Sequence, residues 1–328
     1  MEEILRLFPE QISQAVQYKI DKRWSLLQEI RFRLGRPIEL VFDHHTEWME
    51  HIKPDKRDSM YVLNQLSEFS LYRMENELRE GYITIEGGHR VGLAGKVNTK
   101  NGFVKTIQHI TFMNIRIAKE KIGCAIPIIP YMHRRDYKNT LFIGAPQTGK
   151  TTLIRDIVRL IATGWNHVGP KKVAVIDERS EIAGCIKGIP QHDIGLRADV
   201  MDACPKSEGM MMMIRSMSPD ILVVDEIGTH EEVQAMMEAI NAGVVVICTI
   251  HGRSINELKK RPSLHVFFQQ RVFERFVLLD KYKGAGYVRG VYNQNGETIV
   301  RKSGGLQSEM DWRTSFHKHN NRDRLRSQ

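Results

Sequence analysis

The sequence predicts an α/β protein whose larger part is built on a mostly parallel sheet, preceded by a smaller α+β domain. Three observations carry this. After residue 140, five apolar segments (140–144, 173–177, 221–225, 244–249 and 275–279) alternate with helix-like stretches, the pattern of successive βαβ units. Before about residue 120, strand-like segments instead flank tight turns, as antiparallel pairs do. The chain is also long enough for two cores, with 328 residues of which 41% are hydrophobic and 27% charged. The expected domains are an α+β N-terminal domain over 1–125, the α/β domain over 126–302, and a basic, disordered tail over 303–328.

Taken in order, residues 1 to about 30 have helical character, and Glu29–Gly35 then alternates apolar and polar positions like a strand. Gly35-Arg36-Pro37 supplies a turn, and 38–42 is its partner strand. Residues 61–80 space their apolar positions as a helix does and stop at Gly81. Strand-like 82–86 and 91–97 flank Gly87-Gly88, and Asn101-Gly102 marks a second turn before segments near 103–108 and 112–118. In the second half, Thr229 and Glu232 form a capping box for a helix with Val233, Met236, Met237 and Ile240 on one face, ended by Gly243. Residues 179–209 form a long connection with little periodicity, of the kind that carries an interface or a nucleotide-responsive segment containing Arg197, or is a plain surface loop. The four methionines at 210–213 fit a helix face in core or subunit packing.

Composition excludes several function classes. No apolar run approaches the 18 residues of a membrane span, and the acidic start Met1-Glu2-Glu3 lacks the apolar region of a secretion leader. Cysteines 124, 185, 204 and 248 are widely spaced without a C-x-x-C, so reduced thiols are expected and neither zinc nor disulfides. His44, His45 and His51 lack metal-ligand spacing. A net charge of +9 is compatible with nucleic acid, anionic membrane or nucleotide partners and does not choose among them.

The chemistry is concentrated at strand ends. Apolar 140–143 breaks into Gly144-Ala145-Pro146-Gln147-Thr148-Gly149-Lys150-Thr151-Thr152, a G-x-x-x-x-G-K-T phosphate loop (Walker A), and continues as an amphipathic helix. The glycines let successive backbone N–H groups converge on phosphate oxygens, and the helix dipole points the same way. Lys150 is expected at the β- and γ-phosphates of ATP and the Thr151 hydroxyl on Mg2+. Strand 221–224 ends in Asp225-Glu226, a Walker B pattern that assigns Asp225 to magnesium and Glu226 to the general base. A further apolar strand ends in Asp177-Glu178, making Glu178 the next candidate base, and another ends in Thr249-Ile250-His251. All of these ends belong to the carboxyl edge of a parallel sheet, where nucleotides bind.

The order of motifs resembles the RecA-like P-loop ATPases that power type II and type IV secretion and pilus assembly. Ile214-Arg215-Ser216-Met217-Ser218-Pro219-Asp220 precedes Walker B, and Ala242-Gly243 leads through an apolar run to Thr249-Ile250-His251, as in that family. Two departures are the Asp225 before Glu226, where the family usually has Gly, and an acidic box that begins Asp177-Glu178-Arg179. Gly195-Leu196-Arg197-Ala198-Asp199-Val200 and Cys204-Pro205-Lys206 followed by Met210–Met213 extend the resemblance, nearly end to end, to the stage III sporulation AA family of endospore-forming bacteria. The resemblance implies an ATP-hydrolysing homo-hexamer with ATP between subunits and His251 at the site. Arg116 of the N-terminal domain would reach the nucleotide, with Arg90 the weaker candidate. It also implies a motor or assembly factor for a transenvelope channel between mother cell and forespore, cytoplasmic in the mother cell and peripheral to the membrane through partner membrane proteins. The alternative is a RecA-like ATPase driven by nucleic acid. It is disfavoured because the N-terminal domain lacks a helix-turn-helix, zinc finger or RNP-like motif.

Overall fold

The structure is a computed structural model that describes residues 1–67, 78–79, 81–100, 102–281 and 286–301. The expected tail over 303–328 and the middle of the helix expected over 61–80 lie outside the described residues. The chain forms two compact units that are not contiguous in sequence, although the expected domains were three consecutive blocks. The first unit joins Met1–Glu120 to Arg179–Asp193, and the second joins Lys121–Glu178 to the chain from Ile194 onward.

The first unit is built on a six-stranded antiparallel sheet. Its strands are β1 (Leu27–Arg33), β2 (Ile38–Phe42), β3 (Thr46–Met49), β4 (Tyr82–Ile85), β5 (His89–Lys100) and β6 (Phe103–Arg116). Their order across the sheet is β3-β2-β1-β6-β5-β4. The alternation at 29–35 arises because Ile30 and Phe32 point into the core with Leu40, Val91 and Ile115, all with no exposed surface. The helix Glu10–Ile20 adds Ile12, Val16 and Ile20 to this core, and the helix Lys56–Leu66, started by an Asp55–Asp58 capping box, adds Val62, Leu63 and Leu66. The two segments expected at 103–108 and 112–118 are one strand. The irregularity between them is absorbed by register shifts in the β5–β6 pairing. Gly95 sits at one of these shifts, where an added Cβ would lie 1.7 Å from the carbonyl oxygen of His109. The short β3 has no counterpart in the sequence reading, because four residues with one buried side chain leave no detectable period. Within this unit the 179–193 segment is tied down by Arg90 donating to Glu181 at 2.6 Å and by His192 against Glu120 at 2.9 Å.

The second unit carries an eight-stranded sheet. Its strands are β7 (Thr140–Gly144), β8 (Val173–Asp177), β9 (Ala198–Asp202), β10 (Ile221–Val224), β11 (Val245–His251), β12 (Arg275–Asp280), β13 (Tyr287–Asn293) and β14 (Thr298–Arg301). The order is β14-β13-β12-β7-β11-β10-β8-β9, parallel from β12 to β9, with β13 and β14 added antiparallel at one edge. The five expected strands are all present. The additions β9, β13 and β14 lie at the sheet's two margins, where half-buried residues replace the apolar runs that mark central strands. Helices Lys206–Met217 and His230–Asn241 pack with Leu141, Ile143, Ala174, Ile176, Leu222, Val224, Val246 and Cys248 in one core. Two of the four methionines, Met210 and Met213, are buried in it. The helix Lys150–Thr163 buries Leu153, Ile154, Ile157, Val158, Leu160 and Ile161 and contacts β7, β8, β9 and β11. Among the described residues no helix is long and apolar enough to cross a membrane.

Candidate functional site

Every residue of the cluster below belongs to the second unit. The buried strand β7 ends at Gly144, the chain turns through 145–149, and the helix Lys150–Thr163 begins at once. The turn depends on glycine where the sequence places it. An added Cβ at Gly144 would lie 2.4 Å from the Thr148 hydroxyl, and Gly149 caps the helix from a left-handed conformation (φ 84°, ψ 23°). The Thr148 hydroxyl donates to the Ala145 carbonyl at 2.8 Å, closing the loop on itself. Lys150 is almost buried, and its ammonium donates to the carbonyl oxygens of Gly144 (3.2 Å) and Ala145 (3.3 Å). Thr152 follows Thr151 on the first turn of the helix. Gln147, also left-handed at φ 62°, lies 3.3 Å from the Lys281 ammonium.

Strand register brings the other expected residues to this loop. β10 and β11 run parallel with Val224 opposite Cys248, which puts Asp225 beside Thr249; β11 and β7 run parallel with His251 opposite Gly144. The consequences are direct contacts. The Thr151 hydroxyl donates to Asp225 Oδ2 at 2.8 Å. The buried Thr249 hydroxyl donates to the other Asp225 oxygen and accepts from the backbone N–H of Glu226 at 2.9 Å. Glu226 Oε1 is 2.8 Å from His251 Nε2 and 3.9 Å from the Lys150 ammonium. His251 Nδ1 lies 3.1 Å from the same ammonium. A lysine ammonium has only hydrogens to offer, so Nδ1 accepts and the ring proton sits on Nε2, donated to Glu226.

Glu226 follows β10 with φ of 51°, a left-handed conformation that is unusual for a non-glycine residue and must be held by its surroundings. Hydrogen bonds on both sides of the residue hold it. Thr249 takes its N–H, and the Lys206 ammonium donates to its carbonyl oxygen at 2.9 Å. Lys206 also pairs with Glu178 Oε2 (3.0 Å) and Glu232 Oε1 (3.3 Å). Glu232 in turn accepts the N–H groups of Gly228 (2.7 Å) and Thr229 (3.0 Å), completing the expected capping box. Burial pushes the Glu232 carboxyl up, but these two N–H groups and Lys206 outweigh it and hold the acid below its ordinary range. Burial raises the Cys248 thiol well above its ordinary value, with Asp225 adding to the effect, so it stays a protonated filler beneath the acids.

Lys150, Thr151, Asp225, Glu226 and His251 thus meet at one sheet edge, whereas Glu178 is turned to Lys206. Arg116 belongs to the first unit, where it is exposed at the end of β6 and opposite Glu29 of β1 and Arg90 of β5. Arg90 is engaged there by Glu181 and by the ring of Tyr82, 3.4 Å from its guanidinium carbon. Sequence reasoning noted Thr249 as a polar strand end and a member of the Ala242–His251 motif without giving it a role, and gave Lys206 none. The first becomes visible once the β10–β11 register is known; the second contacts residues 20 to 28 positions away and leaves no local signal.

The residues present suit a nucleotide with magnesium. The loop is a cradle that a side chain at Gly144 would fill, with a cation at its base, as an anionic phosphate needs. The hydroxyl of Thr151 against the Asp225 carboxylate is a pair of hard oxygen donors of the type magnesium accepts.

Comparison with known proteins points the same way. The family described as "Sporulation stage III, protein AA" matches residues 1–299. The stage III sporulation protein AA of Bacillus subtilis (strain 168) is 48% identical over 304 residues, covering 93% of this chain and 99% of that protein. Among solved structures, the pilus retraction motor PilT with bound ADP is similar with a TM-score of 0.58 at 14% identity, covering 88% of this chain and 84% of that one. The ATPase DotB of Legionella pneumophila is similar with a TM-score of 0.56 at 16% identity, covering 83% and 76%. At such identities the two structures establish the fold alone, an α/β RecA-like P-loop architecture. With the family match spanning almost the whole described chain, the protein belongs to the sporulation stage III protein AA family.

Proposed function

We propose that the protein hydrolyses ATP as a motor or assembly factor of the secretion-ATPase type, energising a transenvelope channel complex between mother cell and forespore. The observation that carries this reading is the meeting of Lys150, Thr151, Asp225, Glu226 and His251 at the phosphate loop, since hydrolysis needs a cation, a magnesium site and a base at one place. In this reading the loop 144–152 holds the phosphates through its backbone N–H groups and Lys150 neutralises charge on the β- and γ-phosphates. Mg2+ held by Thr151 and Asp225 would, when bound, offset the charge of the phosphate oxygens. Glu226 takes a proton from the attacking water as its oxygen bonds to the γ-phosphorus, and ADP leaves as the bridging P–O bond breaks. The His251 Nε2–H restrains the Glu226 carboxylate and keeps it aimed.

The wider assignment rests on the family and on the shared fold. It comprises a homo-hexamer with the nucleotide between subunits, Arg116 reaching a neighbouring site, membrane proteins of the channel complex as partners, and a cytoplasmic position peripheral to the mother-cell membrane. The net charge of +9 keeps a nucleic-acid-dependent ATPase as the second reading. Both are tested by nucleotide affinity and by turnover measured across protein concentrations, with and without single-stranded DNA at physiological salt. Lys150→Ala is expected to lose tight ATP binding, and wild-type turnover per chain to rise with concentration and to ignore DNA. Unchanged affinity in Lys150→Ala would remove the phosphate-loop assignment. Stimulation by DNA that disappears in Lys150→Ala would select the second reading.

A further inference from the structure

The geometry points to Lys206 as a positioning residue that holds the backbone of Glu226 in its reactive conformation and, by pairing with Glu178, takes that second acid out of competition for the base. The inference rests on the reading of Glu226 as the base. Lys206 opens the helix Lys206–Met217 directly after Pro205, so its backbone is fixed by proline on one side and helix on the other. Its side chain is one-tenth exposed and reaches three oxygens on three different segments. These are Glu178 after β8, the Glu226 carbonyl after β10, and Glu232 in the first turn of the next helix. An ammonium has three N–H donors, and three acceptors surround this one.

The placement matters because Glu226 is left-handed. A residue of this kind gains little from its own backbone and takes up whichever alternative its neighbours permit. The peptide on its N-terminal side is held by Thr249, the carbonyl on its C-terminal side by Lys206, and the segment just beyond by Glu232, itself paired with Lys206. Removing the ammonium would take its hydrogen bond from the Glu226 carbonyl and its shared cation from Glu178 and Glu232. The Glu226 side chain would then lose its fixed approach to the attacking water, while the contacts within the 144–151 loop and that of Thr151 with Asp225 do not pass through Lys206. The expected consequence is a loss in kcat with ATP affinity retained. Glu178 has the complementary part. It stands at the acidic strand end that made it the reserve base, yet its carboxylate serves Lys206.

The test compares steady-state turnover and ATP affinity for wild type, Lys206→Met, Lys206→Arg, Glu226→Gln, Glu178→Gln and the double variant Lys206→Met/Glu226→Gln. Lys206→Met is expected to lower kcat by about 10- to 100-fold with affinity within about 3-fold, and Lys206→Arg to recover much of the loss. Added to Glu226→Gln, it should cost nothing further, because a residue acting through Glu226 has no base left to position. A loss that multiplies in the double variant, or normal kcat in Lys206→Met, overturns the role. Should Lys206→Met fail to fold, Glu178→Gln decides instead. A kcat loss of about 3- to 10-fold, well short of Glu226→Gln, supports the assignment, and a loss equal to that of Glu226→Gln would make Glu178 the base. Normal hydrolysis by Glu226→Gln would overturn the underlying reading of the site, and is distinguishable from an inactive Glu226→Gln beside an active Lys206→Met.

Discussion

At the scale of single residues, the site is organised by hydrogen bonds that bind backbone and carboxylate together. Thr249 is the clearest case, since its one hydroxyl donates to Asp225 and accepts from the N–H of Glu226. Both partners sit next to a fully buried strand, and replacing Thr249 by the isosteric valine removes a hydrogen bond from a carboxylate oxygen and from a backbone donor at once. Thr249→Val is expected to destabilise the protein by about 1–3 kcal/mol and to lower turnover because Glu226 loses the restraint on its backbone N–H. Thermal unfolding and phosphate release together check this; a stable variant with normal turnover would show that the bond is dispensable. The phosphate-loop residues were legible in sequence because their chemistry is local, a run of nine with glycine at the two positions the turn requires. Thr249 and Lys206 were not, because their roles arise only when strands and a helix distant in sequence are brought together.

At the scale of elements, legibility followed burial. β7, β8, β10 and β11 are buried almost throughout and largely apolar because both faces of a parallel sheet are covered, and such runs stand out. The marginal strands β3 and β9 carry half-exposed residues and left no period to read. The 179–193 segment was readable only as a connection, since its place in the first unit is fixed by long-range pairs such as Arg90 with Glu181. The N-terminal elements of that unit carry a pH dependence of their own. His89 Nδ1 accepts the Ala118 N–H, and its Nε2 faces Glu3 at 3.1 Å. Burial depresses the histidine despite the pull of Glu3, so the folded ring stays neutral. Burial pushes Glu3 up, but the N-terminal ammonium, its own backbone N–H and His89 bring it down to about 2. Both groups therefore bind protons more weakly folded than unfolded. Their stabilisation is complete above the ordinary histidine value, declines below pH ~6.5 as the unfolded histidine protonates, and declines again below pH ~4.5 toward 2. The midpoint of thermal unfolding should fall over both windows, and Glu3→Gln should flatten the lower one. A midpoint independent of pH between 7 and 3 would contradict the assignment.

At the scale of the whole molecule, the chain joins a six-stranded antiparallel unit to an eight-stranded unit that carries all the clustered chemistry. The general class was legible because four motifs fall in order at the ends of apolar strands. The discontinuous division was hidden, because the excursion 179–193 reads in sequence as part of one long connection, 179–209, with nothing local to say which unit it joins. Arg116 and Arg90 illustrate the same limit: both lie in the first unit's sheet, opposite one another on β6 and β5. We propose that this edge of the second sheet hydrolyses ATP with Glu226 as base. This is tested most directly by measuring ATP retention and phosphate release in Glu226→Gln beside the wild type. Retained ATP and phosphate release slowed at least ~100-fold are expected. Release at the wild-type rate would contradict it and place the base elsewhere.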